Sequence, residues 1–497
     1  MTRPATTTHT YPVTGNAFGL PLLIISALQL MVVLDGTVVN LALARIQVEL
    51  GLTDSLRSWI VTSYALAYGG LLLLGGRLGD VFGRKRTFLI GVSMFTSASL
   101  ACGLANGAGV LLVARVIQGI GAAVASPTAM ALIVVTFAPG KPRNQAFSVF
   151  AMMTGLGSVL GLVVGGALTE ASWRWIFLIN VPIGVLIVGL GVKYLFSTGQ
   201  SEKMALDVRG AVLATGASTL LVFGMTEGGV GFTAPVIGSV VLGVVLLIGF
   251  FLSQRTAANP VLPLGMFAHR SRTFVFVSLL LVGALLMAMT VQVALFVQEV
   301  LGYGPLTAGL AFIPFAFALA TGSAISGRLA EVVSPRWIVA GGGVILIGGF
   351  VFSSMLDEHA SYLPDLLIPI LVIGVGLGIV LIPLTLSVVA GVKPTEVGPL
   401  TATSLVCQTL GGPLGLAAVT AYAEMRTRSR LGSAFDTLNR SALDDAARAA
   451  LGDGYTGSLL ICAGLAVVVV ILVVAFVKFT PEDIREGKAA EAAAQRG

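Results

Sequence analysis

The chain has 497 residues, of which 56% are hydrophobic and only 10% charged. That leaves too little polar side chain to coat the roughly three soluble domains such a length would allow. The formal net charge is +6, but the cations sit in short segments between apolar runs and form no basic domain. Nucleic acid is therefore excluded as a partner, and membrane orientation accounts for them.

Residues 1–17 are Thr- and Pro-rich and read as a cytoplasmic tail. The apolar stretch that follows runs past Asn40, longer than the apolar core of a cleaved signal, and is a first permanent span. A hydrocarbon layer about 30 Å thick takes about 20 apolar helical residues to cross. Runs of that kind fall at 18–42, 58–79, 88–106, 109–136, 146–168, 175–196, 207–227, 233–253, 273–297, 306–328, 337–356, 365–390, 400–422 and 456–478. They predict an all-α membrane protein of fourteen helices. With the N-terminus inside, the inner segments collect most of the 29 Lys and Arg residues, among them Arg77, Arg84, Lys85, Arg86, Lys141, Arg143, Arg255, Arg270 and Arg272. By the positive-inside rule both termini are cytoplasmic, in a multi-pass protein of a bacterial cytoplasmic membrane.

Three cysteines, Cys102, Cys407 and Cys462, lie far apart inside apolar runs, so no disulfide framework and no metal site is expected. No cofactor is expected either. The 62 glycines suit helices that pack closely in lipid.

Span 2 ends in Gly76-Arg77-Leu78-Gly79-Asp80 and span 10 in Gly327-Arg328-Leu329-Ala330-Glu331, matching strings at matching topological positions. They divide the chain into six-helix halves at 18–196 and 273–478, with two inserted helices and flanking cytoplasmic loops at 197–272. The remaining pieces are an extracytoplasmic loop at 424–455 and a cytoplasmic tail at 479–497. The loop is too short for an enzyme domain. Its stretch Ser441 to Ala450 follows a Ser cap with good helix formers, predicting a short amphipathic helix. The tail is Ala-rich and charged, and partly helical.

The segment Gly76 to Arg86 (GRLGDVFGRKR) has glycines that permit a tight turn, and Asp80 can pair with Arg77 or Arg84. A plain anchor cluster is the alternative. This segment resembles the signature loop of the major facilitator superfamily. Leu111 to Gly121 (LLVARVIQGIG) is similar to its span-4 motif, and Leu34 to Leu43 (LDGTVVNLAL) and Trp173 to Gly184 (WRWIFLINVPIG) to motifs of its fourteen-span drug:proton antiporters. The resemblance covers the N-terminal half in order; the C-terminal half matches in span count and in the echo at Gly327. It implies the superfamily fold with fourteen transmembrane helices, alternating access, a conformational gate loop at Gly76, Arg77, Asp80, Gly83 and Arg84, and a part for Arg115 in coupling.

Asp35 is an acid deep inside a span, which marks a pathway or a relay by default. Making it neutral near pH 7 takes on the order of 4 kcal/mol, which burial can supply. It could then carry a proton; a permanent hydrogen bond to span 4 is the alternative. Arg115 falls at a similar depth, and a pair between them would favour the ion, so transfer requires the pair to loosen. All three histidines lie outside the spans, leaving Asp35 as the proton switch.

In span 5, Gly157, Gly161 and Gly165 recur every fourth residue and form a groove for helix packing. The antiporter motif this resembles has a proline where Leu162 stands, which weakens the case for antiport. Met31, Gln118, Gln292 and Gln408 are candidate substrate-cavity residues, since Met surfaces adapt to varied lipophilic ligands; ordinary helix packing explains each as well. With few deep carboxylates, multivalent cations are disfavoured as cargo against neutral, monocationic or lipid-like molecules.

These readings predict a proton-coupled exporter of drugs or lipophilic compounds, monomeric, touching protons and membrane lipids, and not an enzyme. The runner-up is a lipid or hydrophobic-metabolite translocator without strict proton coupling. An ATP-driven pump would need a GxxxxGK[ST] loop, which the sequence lacks. A sensing receptor on a transporter scaffold would bind without flux.

Overall fold

The computed structural model describes residues 19–138, 141–196, 207–228, 233–257, 260, 262, 264–392, 394–432, 435 and 443–496. Among these the chain is helical with no β-strand. The N-terminal group comprises α1 (Leu20–Leu50), α2 (Asp54–Phe82), α3 (Arg84–Gly103), α4 (Ala108–Thr136), α5 (Lys141–Ala171), a single turn α6 (Trp175–Leu178) and α7 (Asn180–Tyr194). Two helices follow, α8 (Val208–Gly228) and α9 (Ala234–Thr256). The C-terminal group comprises α10 (Arg270–Leu295), α11 (Pro305–Leu329), α12 (Pro335–Ser353), α13 (Leu367–Val388), α14 (Pro394–Leu431) and α15 (Asp445–Phe476). A terminal helix, α16 (Pro481–Arg496), packs on α13 and α14.

Twelve of these helices are long and apolar enough to cross a bilayer, and α2, bent by 53° between Asp54–Leu72 and Leu74–Phe82, makes thirteen. The run at 88–106 corresponds to α3, whose first turn carries Arg84, Lys85 and Arg86 and whose length is 20 residues. Its apolar character falls short of its neighbours for that reason.

Local chemistry sets the helix ends. Thr53 caps α2 by accepting from the Leu56 amide at 3.2 Å, and Gly51 closes α1 in the left-handed region at φ 61°. Prolines open α11 and α12 at the first turn, where a missing N–H costs nothing. Backbones then approach closely where side chains vanish. A Cβ on Gly75 of α2 would lie 2.0 Å from the Ala123 carbonyl oxygen of α4, and one on Gly378 of α13 would lie 2.3 Å from that of Leu319 in α11. The pairs α2 with α4 and α11 with α13 thus repeat one packing in the two groups, in keeping with the echo between the ends of α2 and α11.

Two expectations change. The stretch 424–455 is largely continuous with its neighbours: α14 runs on to Leu431 and α15 already starts at Asp445. The SALDDAARAA stretch therefore supplies the first turns of α15 and no separate helix. Its cap is Asp444, which accepts from the Ala447 amide at 2.7 Å; Ser441 lies outside the described residues. A carboxylate at the cap also faces the positive end of the helix dipole.

The groups meet along two seams. On one, α5 lies on α11: a Cβ on Gly166 would come 2.7 Å from Leu306 Cα, and one on Gly309 would come 2.2 Å from the Leu162 carbonyl oxygen. On the other, α2 lies on α14, and α8 covers the line between them through Leu66, Val222 and Ala417. α16 is held by Lys488, which donates to Glu331 at 2.7 Å; the ammonium holds that carboxyl below its usual range.

Candidate functional site

Asp35 stands midway along α1, where the helix lies between α4, α5 and α7. Its side chain is 0% exposed, and Arg115 of α4 is 1% exposed. Arg115 Nη1 donates to Asp35 Oδ2 at 2.7 Å, while Gln118 Nε2 and Asn180 Nδ2 donate to Oδ1 at 2.7 and 3.1 Å. A buried ion survives only when it is paired and hydrogen-bonded, and this carboxylate has both.

The cation is equally well held. Arg115 Nε donates to the Ile60 carbonyl at 2.9 Å, Nη1 reaches Gln118 Oε1 at 2.7 Å, and the guanidinium sits 4.3 Å over the Tyr64 ring. Arg115 and Gln118 are three residues apart and so share one face of α4. Gln118 Nε2 also donates to Ser99 Oγ of α3 at 2.8 Å. The result is a polar cluster within apolar surroundings, built from α1, α2, α3, α4 and α7. Asn180 Oδ1 and the Tyr64 hydroxyl are buried with no hydrogen-bond partner, the cluster's two unsaturated points among the described residues.

Of the residues singled out in the sequence, Asp35, Arg115 and Gln118 come together here. Asn180 was missed, although it lies inside the WRWIFLINVPIG string; its signal was an amide in an otherwise apolar run. Ser99 and Tyr64 carried no such signal.

The loop residues lie elsewhere. Gly83, at φ 88°, joins α2 to α3, and Arg84 pairs with Asp80 at 3.2 Å and reaches the Ala131 carbonyl at 3.5 Å. Lys85 donates to the carbonyls of Val192 and Leu195 at 2.8 and 2.7 Å. Gly76 faces Pro127 of α4, and Arg77 is half-buried. These contacts stay within the N-terminal group. The stripe Gly157, Gly161 and Gly165 faces α1 at Leu30, Val33, Thr37 and Val38.

The four candidate cavity residues are dispersed. Met31 is wholly buried in the core of the N-terminal group, and Gln118 belongs to the cluster just described. Gln292 lines a crevice with Phe296, Tyr455 and Leu459 in the C-terminal group, and Gln408 of α14 bonds along its own helix to the Ser404 carbonyl at 3.5 Å. Among the described residues no group of three or more His, Cys, Asp or Glu side chains could hold a metal ion.

Comparison with known proteins accords with this architecture. The profile of the Major Facilitator Superfamily matches residues 25–416. The chain is 43% identical over 486 residues to the "Uncharacterized MFS-type transporter EfpA" of Mycobacterium tuberculosis (strain ATCC 25618 / H37Rv), covering 97% of this chain and 91% of that one. It is 39% identical to the puromycin resistance protein pur8 of Streptomyces alboniger, covering 80% of each. It is 35% identical to the cephamycin export protein CmcT of Amycolatopsis lactamdurans, covering 78% of this chain and 81% of that one. Among solved structures, an inward-facing, unoccupied bacterial homologue of the human lysosomal transporter Spinster matches with a TM-score of 0.65 at 18% identity, covering 95% and 97% of the two chains. The chain therefore belongs to the Major Facilitator Superfamily and is a multi-pass membrane transporter.

Proposed function

We propose that this transporter is a proton-coupled exporter of lipophilic compounds, working by alternating access across a bacterial cytoplasmic membrane. In this reading 18–196 and 273–478 are the moving halves, 197–272 is the inserted pair, and fourteen helices cross the membrane. The fourteenth is α3, whose 20 residues reach about 30 Å, the thickness of the hydrocarbon layer. Both termini lie in the cytoplasm, so the Leu50 end of α1 faces outward.

The observation that carries the reading is the wholly buried Asp35, an acid placed where lipid-embedded charge is costly, with a cation and two amides as partners. Such a group is kept for transport and not for packing. A proton arriving at Asp35 takes the place of the Arg115 contact, and Gln118 and Asn180 can turn to serve the neutral acid. Export as the direction is supported by relatives named for puromycin resistance and cephamycin export. The Gly76 to Arg84 loop acts as the gate hinge, and Gln118 belongs to coupling more than to the substrate cavity.

The test is gradient-driven transport of a lipophilic dye in proteoliposomes. Asp35→Asn abolishes the response to an imposed pH gradient while the protein keeps its thermal transition. Unchanged transport refutes the coupling role.

Two observations favour a second reading, a lipid or hydrophobic-metabolite translocator without strict coupling. Three donors already hold Asp35 as an ion, and α5 passes Leu162 unbroken. Transport indifferent to uncouplers selects that reading.

A further inference from the structure

A second buried ion pair crosses between the two groups of helices at the Leu50 end. Arg57, in the first turn of α2, donates from Nη1 to Glu299 Oε1 at 2.8 Å, with side chains 2% and 7% exposed. In the sequence, Arg57 stands just ahead of the apolar run at 58–79 and Glu299 just past the one at 273–297. Glu299 sits in a π-helical turn, Phe296–Val300, that extends α10. The Leu301 amide reaches back to the Phe296 carbonyl at 3.2 Å, one residue further than an α-helix would. Such turns are frequent at functional sites, and the added residue rotates the side chains that follow it around the helix.

Each partner also has ligands on its own side. Arg57 is bonded to Gln47 Oε1 at 2.6 Å and lies 3.3 Å from Asp54, both in the N-terminal group. Glu299 Oε2 accepts from the Tyr455 hydroxyl of α15 at 2.7 Å, in the C-terminal group. If the bridge parts, Arg57 keeps Gln47 and Asp54, and Glu299 keeps Tyr455. A contact built this way can open without stranding a buried charge, provided Glu299 gains a proton.

The two ion pairs therefore differ in kind. Asp35 and Arg115 lie in the same group, so rocking the groups as rigid bodies does not of itself part them. Arg57 and Glu299 lie in different groups, and any opening at this end must separate them. We propose that Glu299 is a second proton-binding carboxyl and that its bridge to Arg57 latches the outer face shut. The proposal rests on the alternating-access reading but is independent of Asp35 as the coupling site.

Among the described residues, the charged and titratable groups found facing Glu299 are Arg57 and Asp54 from α2 and Tyr455 from α15. The charges of α10, Arg270 and Arg272, and that of α11, Arg328, stand at the far ends of those helices. On α15, Asp453 is engaged by Arg426 and Arg430. Among the described residues, Arg57 is the cation that the external proton displaces from Glu299.

The test measures opening at this face, not flux. Spin labels at Leu104→Cys and Met355→Cys, both strongly exposed and in opposite groups, report the separation in a background where the native cysteines are replaced by alanine. In the parent, the long-distance population grows as pH falls from 8 to 5, by up to tenfold per unit, the limit for one proton. Glu299→Gln, the isostere of the protonated acid, holds the long distance at every pH, and Arg57→Gln does the same. In Asp35→Asn a pH response remains and is removed by adding Glu299→Gln, so a failed transport assay leaves this readout intact. A short distance at pH 8 in both latch variants, a pH response that survives Glu299→Gln, or a parent that never responds to pH overturns the proposal.

Discussion

Replacing Arg115 with leucine removes the guanidinium that touches Asp35 while leaving the neutral donors Gln118 and Asn180 in place. Stripping one partner from a fully buried pair costs about 3–5 kcal/mol if the charge stays. Replacing the acid as well, in Arg115→Leu combined with Asp35→Asn, removes the stranded charge. The measurement is thermal unfolding in detergent at one fixed pH for the parent, each single variant and the double. Arg115→Leu and the double both leave the Ile60 carbonyl without its donor, so that loss cancels between them. The double should be more stable than Arg115→Leu, although it carries one more substitution. Two costs that simply add would refute the account of Asp35 as an ion held by its arginine.

Two more outcomes follow from geometry. Gly309→Ala puts a Cβ 2.2 Å from the Leu162 carbonyl oxygen, a backbone atom that cannot swing away, so α5 and α11 must part at a cost of about 1–3 kcal/mol. Gly155→Ala meets nothing within 4 Å and should melt like the parent; equal melting of the two rules out the close seam. Asp444→Ala removes the acceptor for the Ala447 amide and should cost about 0.5–2 kcal/mol, felt locally. Hydrogen exchange at the first turn of α15 should quicken while the rest is unchanged, and an unaltered first turn excludes the cap.

The helical architecture was legible because lipid imposes one rule, a long apolar run per crossing, and the sequence obeys it from α1 to α15. Asp35 and Arg115 were legible for the converse reason, as charges that break an apolar run. α3 was harder: its Arg84, Lys85 and Arg86 serve the loop and dilute the apolar signal of the helix that follows. Glu299 escaped because a charge near a span end looks like ordinary interfacial polarity, and only the π turn at Phe296–Val300 brings it inward to meet Arg57. The candidate cavity residues failed to converge because an amide or methionine in a span is read from type alone. Which face of the helix it occupies depends on neighbours far away in sequence, as Gln292 and Gln408 illustrate.

The two seams between the groups are built differently, and that bears on how they can move. At the α5–α11 seam, glycines bring backbone onto backbone, with Gly309 against Leu162 and Gly166 against Leu306. Such a contact has no side chains to adapt, so it is either made or lost. At the α2–α14 seam, α8 lies across the join. It is fixed to α2 where Thr215 crowds Gly70, to 2.4 Å of an added Cβ, and where Ser55 donates to Glu227. Toward α14 its neighbours are apolar, Leu410, Leu414 and Ala417. Polar and tightly fitted contacts specify one register, whereas apolar ones tolerate sliding at little cost. We infer that α8 travels with α2, while α2 itself keeps a close fit to α14 where Gly69 meets Thr409, 2.9 Å from an added Cβ.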